Sequence, residues 1–288
     1  MKVLVMQIRR EFWEHRSLWI APLLVGILLL IAVATLNNVQ FSFGGFAPAQ
    51  IGVITPLRLM LFGWGIPFYL AAGIVVVVYL LDCLYGERRD RSILFWRSMP
   101  VSDTQTVLAK LLVGLVIVPY ASYLLAAVTS VIASVMLLLR HHALVNGQPP
   151  PAWNGALWLR TELGMLWGMT VLLLWYAPYA TYLMLASVWA RRSPYAWAFL
   201  PPVLLALFES MLIGTHYVGA VVQRGLALVL RTVFNLDMQL RLNFGYVGPR
   251  SSGNLWQLLY SPQLWLGLLA AALMLALVIR LRRYRDDS

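Results

Sequence analysis

Six stretches of this chain are long and apolar enough to cross a lipid bilayer, and they constrain the fold more than any single motif does. A crossing helix needs about 20 mostly apolar residues to span a hydrocarbon core roughly 30 Å thick. The stretches are Leu18–Leu36, Leu57–Cys83, Thr104–Leu139, Leu159–Ala190, Pro194–His216 and Pro262–Leu281. Composition points the same way: 61% of the residues are hydrophobic and only 11% charged, whereas soluble domains carry about a quarter charged residues. The expected fold is an all-α integral membrane domain over residues 1–288, with little chain left for a separate soluble domain.

The net charge of +11 and a pI near 10.2 would suit a nucleic-acid binder. The basic residues, however, flank apolar spans instead of forming one stripe, which argues against nucleic acid. Lys2, Arg9, Arg10 and Arg16 precede the first span. Arg88, Arg89, Arg91, Arg97 and Lys110 surround the connection from the second to the third. Arg191 and Arg192 separate the fourth from the fifth, and Arg280, Arg282, Arg283 and Arg285 close the sixth. With six crossings all four groups share one side, and the positive-inside rule puts both termini in the cytoplasm. Val218–Leu236 would make a seventh span only by placing Arg224 and Arg231 at membrane depth, which is costly. It is therefore expected as a re-entrant or interfacial helix within the outer segment 217–260.

Residues 1–17 repeat Leu4, Ile8 and Phe12 at helical spacing, with Gln7, Arg9, Arg10, Glu11 and Glu14 on other faces. That pattern suits an amphipathic helix lying in the cytoplasmic interface, or a frayed start of the first span. Ala32-Val33-Ala34 resembles a signal-peptidase site, but the residues before the apolar run carry Glu11 and Glu14, so an uncleaved span is expected. Ser102-Asp103-Thr104-Gln105 is a capping box opening span three. Ser193-Pro194 and Ser261-Pro262 each set a cap serine before a proline at the first helical position. Pro22, Pro67, Pro119, Pro178, Pro201 and Pro202 fall inside spans, where they break backbone hydrogen bonds. The lone cysteine, Cys83, is expected as a buried structural thiol.

The connection 84–102 carries the densest information. Its sequence YGERRDRSILFWRSMPVSDTQTVLAK, counted from Tyr85 to Lys110, begins with Glu87, Arg88, Arg89, Asp90 and Arg91 and continues with Ile93, Leu94, Phe95 and Trp96 before Pro100. A short helix with a charged flank and exposed aromatics suits protein docking. It would equally suit a helix lying against lipid headgroups.

This stretch resembles the one between spans two and three of ABC-2-type transporter permeases, and the amphipathic start and six-span layout agree over the whole chain. The resemblance implies a membrane subunit of an ABC exporter in a bacterial-type cytoplasmic membrane. It would pair with a second permease copy, as a homodimer or heterodimer, and with two ABC ATPase subunits. It implies that Glu87, Arg88, Arg91, Phe95 and Trp96 belong to a coupling helix that docks on the ATPase. It further implies that Leu57–Cys83 and Pro194–His216 line the pathway and that a re-entrant element precedes the last span.

The chain carries no G-x-x-x-x-G-K-[ST] loop, and its only lysines are Lys2 and Lys110, so ATP and Mg would be bound by the partner ATPase and not here. No catalytic set is expected: a G-x-S-x-G elbow is missing. His141, His142 and His216 lack the H-x-x-x-H spacing of a metal site, and no metal is expected. Two acids stand out at or within spans. Asp82 is expected to pair with Arg88 or Arg89. Glu209 lies roughly 22 Å into span five at ~1.5 Å per residue. It reads either as a pathway residue meeting cationic or polar cargo or as a glutamate hydrogen-bonded near the outer interface. A non-transporting assembly or sensory protein docking a cytoplasmic partner is the alternative from another class.

Overall fold

Short turns apart, the described residues are helical and include no strand. The computed structural model of the chain describes residues 2–35, 55–90, 102–144, 155–213 and 259–284. In chain order the helices are α1 (Lys2–Glu14), α2 (Ser17–Thr35), α3 (Thr55–Asp82), α4 (Tyr85–Arg89), α5 (Asp103–Leu112), α6 (Val118–Leu144), α7 (Gly155–Trp189), α8 (Pro194–Phe208) and α9 (Pro262–Tyr284). Two π-helical turns, Val113–Ile117 and Glu209–Ile213, continue α5 into α6 and extend α8. The first has a local cause. Pro119 cannot donate to the carbonyl four residues before it, and a run of wider turns is one way to re-form the ladder there.

Five helical stretches among the described residues are long and apolar enough to cross a membrane: Ser17–Thr35, Gly65–Arg89, Asp103–Ala133, Trp158–Trp189 and Pro262–Tyr284. This is the architecture of a multi-pass membrane protein. The remaining expected span, Pro194–His216, corresponds to the 15-residue α8 and the five-residue π-turn after it, and is not among the five. The expected outer segment Val218–Leu236 lies outside the described residues.

The chain divides into two compact units. One comprises Arg16–Val75 and Ile117–Trp167. Here α2 packs along α6 with Gly26 at the contact, where a Cβ would lie at ordinary contact distances, 3.4 Å from Phe68 Cζ and 3.5 Å from Thr129 Oγ1. Small residues are common at helix contacts where lipid removes the usual hydrophobic drive between helices. Val33 and Ala133 close the same seam.

The other unit comprises Met1–His15, Val76–Val116 and Gly168–Ser288. In it α5 contacts both α1 and α9. Leu81, Ala186 and Ala198 form an apolar knot, and the Tyr182 hydroxyl donates to the Ala198 carbonyl at 3.0 Å. The expected caps are in place. Ser102 Oγ accepts from the Gln105 backbone N–H at 3.3 Å, and Ser193 Oγ accepts from that of Ala196 at 3.5 Å, ahead of a proline at the start of α8.

Candidate functional site

The amphipathic pattern of α1 leaves Val5, Met6 and Trp13 exposed and turns Glu11 inward, where its side chain is only 2% exposed. A carboxylate cannot be buried so deeply without compensation. Lys110, eight positions into the capped start of span three, supplies it: Nζ lies 2.8 Å from Glu11 Oε1, and the lysine is fully buried. The Tyr79 hydroxyl donates to the other oxygen, Glu11 Oε2, at 2.9 Å. His15 stands edge-on to the Tyr79 ring and 3.9 Å from Glu11 Oε2. Burial pushes the Glu11 carboxyl up, but the Lys110 ammonium and the hydrogen bonds from Lys110 and Tyr79 outweigh it and hold the group below the usual carboxylate range.

A second acid enters the same cluster from α4. Glu87 Oε1 lies 3.1 Å from Lys110 Nζ and 3.6 Å from Arg10 Nη2, and Glu87 Oε2 lies 3.0 Å from Arg282 Nη2. Arg282, in the last turn of α9, also reaches Asp103 Oδ1 at 3.4 Å through Nε. Three acids (Glu11, Glu87, Asp103) thus face three cations (Arg10, Lys110, Arg282) contributed by α1, α4, α5 and α9. Buried ion pairs of this kind add little net stability, because desolvation cancels much of the attraction. Breaking one is costly, however, so the cluster fixes the mutual register of those four helices.

The cluster brackets segment 91–101 from both sides. Before it, Arg88 Nη2 donates to the Ser187 carbonyl and, at 3.1 Å, to that of Ala190. The Tyr85 N–H donates to Ser187 Oγ at 3.0 Å, and its hydroxyl donates to the Arg192 carbonyl at 2.7 Å. After it, Gln7 Nε2 donates to Thr106 Oγ1 at 3.2 Å, next to the capping box.

These contacts give two of the expected docking residues internal work. Glu87 is buried among cations of its own chain, and Arg88 satisfies carbonyls at the end of α7. Arg91, Phe95 and Trp96 lie outside the described residues. Of the residues expected to pair with Asp82, Arg89 meets Asp90 at 3.1 Å and also feels the Asp82 charge, and Arg88 donates to carbonyls at the end of α7. Cys83 is a buried free thiol, as expected. Glu209 opens the second π-turn and is half-buried.

Sequence reading did not single out Lys110, Arg282, Glu11 or Glu162 as site residues. A signal existed for two of them: Lys110 is a charge at the mouth of an apolar run, and Glu162 is an acid within span four. Glu11, Glu14 and His15 bring possible metal-ligand atoms within 4.8 Å of one another. The cationic partners there are already Lys110, on Glu11, and Arg10, whose Nε is 2.6 Å from Glu14 Oε1.

No protein-family model matches the chain, and no curated protein matches it.

Proposed function

We propose that this chain is the permease subunit of an ATP-driven exporter, working as a dimer and powered by separate ATPase subunits that bind ATP and Mg. One observation carries the reading: α4 and α5, which flank residues 91–101 in sequence, are joined by a buried charge cluster to α1 and α9, and α4 is hydrogen-bonded to the end of α7. A force delivered to flanks joined this way moves several helices together. That is what a chain without a nucleotide loop needs from a partner motor. Within this reading Arg91, Phe95 and Trp96 form the contact with the ATPase, and Glu87 and Arg88 anchor its base. The membrane is of the bacterial cytoplasmic type, with both termini inside. Pro194–His216 contributes Glu209 to the pathway as a sixth crossing.

Co-purification in mild detergent and transport in reconstituted vesicles test the proposal together. Truncating central aromatic anchors costs about 2 kcal/mol or more of binding. Phe95→Ala with Trp96→Ala should therefore release the ATPase or uncouple hydrolysis from transport while the permease stays folded. Full transport by the double variant, or transport by this chain alone without ATP, refutes the assignment. A stable cytoplasmic partner that is not an ATPase, with no transport, would instead identify an assembly or sensory protein.

A further inference from the structure

The unit formed by Arg16–Val75 and Ile117–Trp167 holds a buried acid that the proposed coupling does not use. Glu162 is 8% exposed. The Tyr123 hydroxyl, itself buried, contacts its carboxylate Oε2 and lies 2.8 Å from its backbone carbonyl. Unlike Glu11 and Glu87, Glu162 forms no ion pair with any described residue. Arg160 is two positions away, about 200° round the helix, and exposed. The surroundings are aromatic. Tyr123 and Met165 form a buried pair against which Tyr69, Trp158 and Leu166 pack.

A carboxylate inside a bundle at membrane depth needs a positive partner or a proton. Ring faces beside an acid offer a cation both a counter-charge and a quadrupole.

We infer that Glu162, Tyr123, Tyr69 and Trp158 form a recognition site for an organic cation, with the carboxylate as counter-ion and the rings as its walls. The substrate class is an amphipathic molecule bearing an ammonium or other delocalised positive charge. The inference rests on the transport reading for its biological meaning, but binding itself requires neither ATPase nor turnover.

The test is fluorescence anisotropy on the full purified chain in detergent, comparing the cationic ester rhodamine 6G with zwitterionic rhodamine B. The wild-type protein should bind the cation at least about tenfold more tightly, a difference of about 1.4 kcal/mol. Glu162→Gln should abolish that preference, and Tyr123→Phe, which keeps the charge, should preserve it. If Glu162→Gln does not fold, Tyr69→Leu and Trp158→Leu are measured instead and should each weaken cation binding several-fold. Equal binding of the two dyes to the wild type would overturn the site and leave Glu162 as a protonated partner of Tyr123. An unchanged preference in Glu162→Gln, or in both ring variants, would overturn it as well. Because no ATPase is present, either result is independent of whether Phe95 and Trp96 couple to one.

Discussion

Lys110 Nζ and Glu11 Oε1 meet at 2.8 Å across 99 positions of sequence, with side chains 0% and 2% exposed. Each member has a second partner, Glu87 for the lysine and Tyr79 for the glutamate, so the pair is the centre of a network and not an isolated bridge.

Lys110→Ala should therefore be strongly destabilising, because it leaves Glu11 and Glu87 buried beside a deleted cation. The expected cost is about 3–5 kcal/mol. Adding Glu11→Leu to Lys110→Ala should recover part of that loss, since one of the stranded charges is removed with its partner. Thermal unfolding of the detergent-solubilised single and double variants gives the coupling. Additive losses would show that the two side chains do not depend on each other.

Acid should weaken the same cluster in a defined direction. Glu11 has a carboxyl held below the usual 4.5, so its contribution to stability is complete above that value and is lost as pH falls through the lowered folded pKa. The melting temperature of the wild type should drop on acidification below about pH 4.5, while Glu11→Gln, less stable at neutral pH, should drop less. The two curves should converge at the acid end. A constant gap between them would assign the acid sensitivity to other groups.

Gly114 and Gly73 should respond oppositely to alanine. A Cβ at Gly114 would lie 2.8 Å from Leu80 Cδ2 and 3.3 Å from Tyr79 Cδ1, both in buried side chains, whereas nothing lies within 4 Å of one at Gly73. Gly114→Ala should cost about 1–3 kcal/mol by overpacking. Gly73→Ala should be neutral or stabilise by up to about 1 kcal/mol through helix propensity. Melting temperatures decide the pair, and a loss at Gly73 equal to that at Gly114 would contradict the packing.

Topology has its own test. With six crossings and cytoplasmic termini, an impermeant thiol reagent added outside intact cells should label a cysteine placed at Pro150 and spare those at Ser98 and Asp287. Labelling at Asp287 would break the odd–even count.

What the sequence made legible was local. The cap at Ser102 could be read because its partner Gln105 is three residues away, and the helix start at Pro194 because its cap serine is adjacent. The long apolar runs were legible for the same reason: hydropathy is a property of neighbours. The charge cluster was not, because Glu11, Glu87, Lys110 and Arg282 are brought together by helix packing that no single window of sequence contains. Glu87 shows the consequence most sharply. Its setting in a run of surface-like charges suggests an exposed rim residue, while the fold turns it inward to meet Lys110 and Arg282. Glu162 was obscured differently, since an acid in an apolar run shows its burial only when the hydroxyl that donates to it, from Tyr123, is known.

The π-turn at Val113–Ile117 carries one consequence for the helix that contains it. Such a turn stores an extra residue relative to regular α-helical winding, and one residue corresponds to about 100° of rotation. Side chains upstream, including Lys110, and those downstream, including Tyr123, are therefore out of phase with a single uninterrupted heptad count. Deleting one residue from the turn would remove the stored one and leave downstream side chains on their present bearing, whereas deleting one from a regular stretch of the same helix would swing them by about 100°. The turn is thus the place in this helix where a change of length by one residue is absorbed locally, with no change to the apolar character of either half.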